Sequence, residues 1–152
     1  MTTSSPTDPA PLLSGTALTV FRLNGQLLEV SEKLARPAGL TAAWWQVLGA
    51  VVREPLPVAG IARAMGITRQ SVQRIADLVV DKGLAEYRPN PAHARAKLLA
   101  LTEDGRAAIA RIGPAHRAMA EKLAAHLGIE EFQRVLTALQ TLTAALDVIA
   151  PD

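Results

Sequence analysis

The stretch RAMGITRQSVQRIADLV, residues 63–79, asks for two things at once. Met65, Ile67, Val72 and Ile75 are spaced to bury one side of a helical pair. Yet Thr68, Arg69, Gln70, Ser71, Gln73 and Arg74 crowd the start of the second helix with hydrogen-bonding groups and two positive charges. Gly66 is the residue type that best accepts the left-handed conformation ending a helix. Thr68 is a favoured N-cap. The reading is a short helix from Val58 to Met65, a tight turn at Gly66, and a second helix from Thr68 to about Lys82, stopped by Gly83. Small Ala62 lets the two helices approach. Gly66 follows it by four residues, and Val72 and Ile75 lie six and nine residues past the glycine. That is the layout of a helix-turn-helix.

In such a unit the N-terminal part of the second helix enters the major groove of DNA. Arginine pairs there with guanine, and glutamine with adenine. Serine and threonine at a helix start hold phosphate together with free backbone N–H groups. Arg69, Gln70, Gln73 and Arg74 are therefore the expected base readers, and Thr68 and Ser71 the expected phosphate or capping residues. The competing reading of the same face is plain solvation.

Working outward, the period changes after Gly83. LAEYR and RAKLLAL flank the turn-rich PNPAHA, which predicts two antiparallel strands joined by a loop of roughly six residues. This is a wing. Asn90, His93, Arg95 and Lys97 lie along it, and a basic finger beside a recognition helix suits the DNA backbone or a narrow minor groove. Arg95 is the favoured contact, Lys97 the next, and Arg88 the least, because it can cover the sheet. A solvated hairpin is the alternative.

Before this unit, Leu13, Thr16, Val20, Leu23, Leu27, Val30 and Leu34 repeat at helical spacing up to Arg36-Pro37. LTAAWWQVLGAVV follows as a second helix with Thr41 as its cap, and REPLP breaks it. After the wing, Thr102 caps a long helix with Glu103 and Asp104 in its first turn, where the helix dipole favours negative charge. Gly113-Pro114 is expected to bend or interrupt it. A last helix follows Gly128, with Phe132, Val135, Leu139, Leu142, Leu146 and Ile149 on one seam.

The expected division is a disordered tail over residues 1–11, a dimerisation helix over 12–36, a winged helix-turn-helix over 37–102 and C-terminal dimerisation helices over 103–152. The fold class is mainly α with a small β-hairpin wing. The two terminal seams exceed what a small winged domain needs, which predicts a homodimer; burial within one chain is their alternative use.

Charge follows the same division. The net charge is +2, but residues 58–102 carry +4 and residues 103–152 carry −2. A basic middle points to a polyanion partner. Apolar residues make up 49% of the 152-residue chain and aromatics 3%, which favours a helical core. There is no cysteine, hence no disulfide or thiol sensor, and no apolar run long enough for a membrane span. The N-terminus does not resemble a secretory signal, so the expected location is cytoplasmic. His93, His116 and His126 form no metal-ligand pattern. No phosphate loop, activated nucleophile or close acid/base pair suggests an enzyme, and no cofactor is implied.

Taken together, LTAAWWQVL, VAGIARAMGITRQSVQRIADLVVDKGLAEY and RPNPAHARAKLLALTEDGR resemble successive elements of the MarR family of bacterial regulators, over about residues 40–106. The resemblance implies a winged helix-turn-helix homodimer that binds a palindromic operator, mostly as a repressor. It also implies a small aromatic effector held near the second helix, where Trp44 and Trp45 are the candidate lining. Adjacent helix positions point about 100° apart, so one indole would serve the core and the other the effector; two packing residues are the alternative. The family often carries Asp-x-Arg in the wing. Here His93, Ala94 and Arg95 occupy those positions, so Arg95 keeps the DNA-contacting role while the acidic brace is replaced. Two other functions compete. A winged helix used for protein assembly without DNA would need an exposed apolar recognition helix. A small ligand-binding helical protein would leave the basic middle without a purpose.

Overall fold

The computed structural model describes residues 8–149. The elements run α1 (Ala10–Ala35), a single 3₁₀ turn (Arg36–Ala38), α2 (Ala42–Ala50), β1 (Leu56–Pro57), α3 (Val58–Met65), α4 (Arg69–Asp81), β2 (Ala85–Arg88), β3 (Leu98–Leu101), α5 (Glu103–Leu127) and α6 (Ile129–Ile149). Two compact units emerge, one reaching Ile112 and one beginning at Gly113.

The helix ends follow the local chemistry of the sequence. Gly66 adopts φ 67° and gives its N–H to the Ala62 carbonyl at 2.9 Å, closing α3. Thr68 Oγ1 accepts from the Ser71 N–H at 3.1 Å, opening α4. Thr41 does the same for Trp44, also at 3.1 Å. A second group secures that helix start: Glu32, near the end of α1, accepts the Ala42 N–H at 2.8 Å. Helix starts leave N–H groups without internal partners, so each such bond satisfies a donor that burial would otherwise penalise.

The first unit has a single apolar core. Leu48, Val47 and Val51 from the α2 region, Ile61 from α3, Val72 and Val79 from α4, Leu99 from β3 and Ile112 from α5 are all fully buried. These residues lock the helical pair against the sheet. The sheet order is β1-β3-β2, all antiparallel, with Tyr87 opposite Leu99 and Leu99 opposite Leu56. Thr102 fastens the sheet to α5. Its hydroxyl donates to the Gly83 carbonyl at 2.6 Å and accepts the Gly105 N–H at 3.1 Å. Gly105 is buried with its Cα hard against the Leu84 carbonyl, leaving no room for a side chain.

Four expectations need correction. REPLP does not only break the chain, because Leu56 and Pro57 form a third strand beside β3. Proline is tolerated there because β1 lies at the sheet edge, where one side of the backbone needs no partner. The wing loop spans 89–97, longer than six residues, because RAK stays outside the strand. Pro114 does not interrupt α5. The helix runs on through it, but proline has no N–H to give the Ala110 carbonyl, so one hydrogen bond of the ladder is missing there. Finally, Ala10 and Pro11, assigned to the tail, belong to α1. Asp8 accepts the Ala10 N–H at 3.0 Å, and a proline in the first turn has no N–H to leave unsatisfied. Asp8 and Pro9 lead into the helix, and residues 1–7 of the expected tail lie outside the described residues.

The two seams are only partly covered. In α1, Val20, Leu23, Val30 and Leu34 are half-buried, while Leu13 and Leu27 are exposed. Leu18, Phe21 and Leu28 form a further exposed apolar stripe on α1, with Phe21 at 71% exposure. In the second unit α6 buries no residue fully, and Val135, Leu136, Leu146 and Ile149 are exposed. No helix among the described residues is long and apolar enough to cross a membrane.

Candidate nucleic-acid interface

Helix α4 owes its place to Val72, Ile75, Ala76 and Val79, which are buried. The opposite face therefore points outward, and it carries Arg69, Gln70, Gln73 and Arg74, all exposed. The first turn of α4 contains no acidic residue. A helix start concentrates unpaired N–H groups and positive partial charge, and an arginine there adds to it rather than offsetting it. Such an end attracts an anion.

A cleft of about 570 Å³ lies between this face and the wing. Arg69, Gln70 and Gln73 line one side. Arg95, Ala96 and Lys97 line the other, with Tyr87 and the segment from Pro57 to Ala59 completing the walls. Three cations line it, and the carboxylate nearby, Asp77, is bonded to the lining residues Gln73 and Tyr87. The fold thus brings together five expected site residues separated by up to 28 positions in the chain (Arg69, Gln70, Gln73, Arg95, Lys97).

The remaining expected residues fall elsewhere. Thr68 and Ser71 are bonded to each other at the helix start, Thr68 Oγ1 donating to Ser71 Oγ at 2.9 Å, so capping is their observed role. Arg74 is exposed but does not line the cleft. Asn90 turns its side-chain oxygen to the Ala92 N–H at 3.0 Å. His93 is exposed on the loop, and its backbone closes two turns: its N–H donates to Asn90 O, and its carbonyl accepts from Ala96, each at 3.2 Å. These turns present Arg95 without an acidic brace. Among the described residues Arg95 makes no hydrogen bond or ion pair, which leaves its guanidinium available. Arg88 is exposed and paired with Glu86 at 2.9 Å.

Two residues that sequence reasoning missed tie the halves of the cleft together. Gln73 Nε2 donates to Asp77 Oδ1 and to the Tyr87 hydroxyl, both at 3.0 Å. The Tyr87 hydroxyl donates to Asp77 Oδ1 at 2.6 Å. Burial, followed by the bond and charge of Asp77, pushes the Tyr87 phenol up to about 12. It therefore stays protonated and keeps donating at neutral pH. The i, i+4 spacing of Gln73 and Asp77 was a visible signal; the tyrosine's arrival from β2 was not.

The tryptophans lie apart from this cleft. Both are half-buried and pack against the core. Trp44 also lines a separate hollow of about 390 Å³ with Leu40, Leu84, Ala108, Lys82 and Arg111 among its walls. Arg111 is anchored there by donating to the Ala38 carbonyl at 3.2 Å.

Comparison with known proteins agrees with this architecture. The MarR family model matches residues 38–96, from the end of the 3₁₀ turn into the wing loop. An uncharacterized protein of Mycobacterium tuberculosis, Rv2011c, is 38% identical over 132 residues, covering 87% of this chain and 92% of that protein. Among solved structures, the M. tuberculosis transcriptional regulator MosR in complex with DNA is 26% identical with a TM-score of 0.72, covering 87% of this chain and 96% of that one. The transcriptional repressor CouR, bound to a 23-mer DNA duplex, is 25% identical with a TM-score of 0.74, covering 91% of this chain and 99% of that one. With its helical pair, three-stranded winged sheet and flanking helices, this chain belongs to the MarR family and has the winged-helix fold of that family's transcription regulators.

Proposed function

We propose that the protein is a cytoplasmic, sequence-specific DNA-binding repressor that works as a homodimer on a palindromic operator. The observation that carries this reading is the cleft walled by Arg69, Gln70 and Gln73 on α4 and by Arg95 and Lys97 on the wing, three of them cations. The helix would enter the major groove while the wing follows the adjacent backbone or minor groove. The similarity to MosR and CouR, both solved with DNA, supports it. A protein-docking role without DNA would need an apolar α4 surface. Of its large apolar side chains only Leu78 is exposed, at 39%, near the C-terminal end.

Dimerisation would fall to residues 12–36 and 103–152. The exposed apolar stripes of α1 and of α6 support it, since such side chains gain by leaving water at roughly 25 cal/mol per Å². Two recognition helices would then meet half-sites about 34 Å apart. Gel shifts against duplexes from the flanking genomic region, at about 50 mM and about 200 mM salt, test the proposal. Selective retardation that weakens steeply with salt is expected. Failure to shift any fragment would overturn it.

A second reading concerns control. The Trp44 hollow combines an indole and apolar walls with the cations Lys82 and Arg111, which suits a small aromatic acid as effector. Its binding would bias the spacing of the two recognition helices, and a coupling of about 1–3 kcal/mol is enough to matter. Trp45, packed against the core, is the second indole expected to sense the occupant. Titration with aromatic acids should change tryptophan emission and lower operator affinity. Unchanged emission and affinity would end this reading.

A further inference from the structure

A primary amide carries two N–H bonds roughly 120° apart and one carbonyl acceptor. At Gln73 the two internal acceptors lie close together. Asp77 Oδ1 and the Tyr87 oxygen are 2.6 Å apart and each 3.0 Å from Nε2, so they subtend about 50° there. One shared N–H serves both. The second N–H and Oε1 have no partner among the described residues. The shared bond also fixes which end of the amide is which. Turned over, Oε1 would stand 3.0 Å from both oxygens, and three acceptors would have only the phenol proton between them. That proton already makes a 2.6 Å bond to a carboxylate, the short, charge-assisted kind. Tyr87 is itself anchored, because it stands on β2 opposite the fully buried Leu99 of β3. The clasp therefore ties a side chain of α4 to a strand set in the core.

Gln73 lines the cleft and is left with one donor and one acceptor for a base. Adenine is the base whose major-groove edge matches such a pair, with N7 accepting and N6 donating. Guanine shows two acceptors, thymine an acceptor and a methyl group, and cytosine a donor with no acceptor beside it. A glutamine free to turn could offer its N–H groups to guanine or thymine instead. We propose that Asp77 and Tyr87 are positioning residues for sequence choice. They hold the Gln73 amide before DNA arrives, by the N–H anti to Oε1, so that Oε1 and the syn N–H point the same way and read adenine. The inference rests on the reading of the cleft as a DNA interface.

The first experiment needs no DNA. In the amide NMR spectrum of the wild type, the Gln73 side chain is identified by its loss in Gln73→Ala. Its anti proton should exchange with water more slowly than its syn proton. Operator selection from randomised duplexes then compares the wild type with Tyr87→Phe and with Asp77→Ala. One position per half-site should demand adenine, and that demand should vanish in Gln73→Ala. At that position in one half-site, purine lacks the amino group and 7-deazaadenine lacks N7. Each should weaken wild-type binding roughly five- to tenfold, the worth of one net hydrogen bond. In either variant the adenine-over-guanine ratio should fall about two- to tenfold, the usual cost of immobilising a long side chain. Asp77→Ala also removes a negative charge beside the cleft, so its affinity for every sequence should rise while its selectivity drops. A merely structural role would lower both.

Equal exchange of the two Gln73 protons in the wild type, or protection of both, would overturn the proposal. So would an adenine-over-guanine ratio unchanged in both variants, or wild-type indifference to 7-deazaadenine. A selected motif indifferent to Gln73→Ala would overturn it and leave the DNA interface standing. If the wild type enriches no sequence at all, the interface reading falls and this inference with it. The exchange and analogue measurements use the wild type, so a variant that failed to fold would not shield the idea.

Discussion

Removing the Arg95 side chain separates an electrostatic contact from a structural one. Arg95 is exposed and unpaired among the described residues, and the loop that carries it is closed by bonds from Asn90 and His93. Arg95→Ala should therefore leave the thermal midpoint essentially unchanged, as surface substitutions away from special features do. Binding should respond differently. Arg69, Arg95 and Lys97 give three cleft cations per protomer, hence six in a dimer. If each neutralises one phosphate, the slope of log affinity against log salt is about −5.4, at roughly −0.9 per contact. Losing one cation per protomer leaves four, and a slope of about −3.6. Between about 50 mM and about 200 mM salt the wild type should lose roughly 2000-fold in affinity and the variant roughly 150-fold. At moderate salt the variant should also bind more weakly, and by a similar factor on every operator sequence, as loss of a phosphate contact does. Fluorescence anisotropy with a labelled operator across a salt series measures both quantities. Equal slopes and equal affinities would show that the wing does not touch the nucleic acid.

Two further outcomes follow from the scaffold. Tyr87 is the only tyrosine, so phenolate absorbance reports it alone; its midpoint should lie near 12 in the native protein and move back toward 10 in Asp77→Asn. Because its folded pKa lies above its ordinary value, the linked stability is intact below pH 10 and declines as pH rises through 12, which a melting series in alkaline buffers would record. Gly105→Ala drives a methyl group into the Leu84 carbonyl, and although alanine favours helices by about 1 kcal/mol, the clash should dominate and cost a net 1–3 kcal/mol or so in denaturant unfolding. A stabilised Gly105→Ala protein would mean that β2 and α5 are less closely joined than described.

What the sequence revealed was mostly local. Thr41, Thr68 and Thr102 cap the helices assigned to them, and Gly66, Gly83 and Gly128 all take the left-handed conformation at helix ends. Each depends on residues within about four positions, so one chain suffices to see it. The features that escaped depend on distant partners. Leu56-Pro57 becomes a strand only because β3 returns 42 positions later. The contact between Gln73 and Tyr87, 14 residues on, depends on β2 returning beside α4. The extra stripe of Leu18, Phe21 and Leu28 escaped for another reason. Its spacing was as visible as that of the seam, but α1 is apolar on more than one side, and periodicity does not say which side stays exposed. The basic cleft itself was legible by composition, since α4 and the wing both carried their cations in plain sight; the five residues that meet in it were separable from Arg74 only in three dimensions.

The margins of the small sheet carry their own consequence. On one side stands a two-residue strand ending in a proline, and on the other a four-residue strand whose outward Glu86 and Arg88 are clasped together. Both borders are short, and the longer one carries charge, two features that discourage a stranger's backbone from zipping on. On the DNA-binding reading proposed above, copies gathered on one duplex would meet only short sheet edges, with little strand through which their wings could pair.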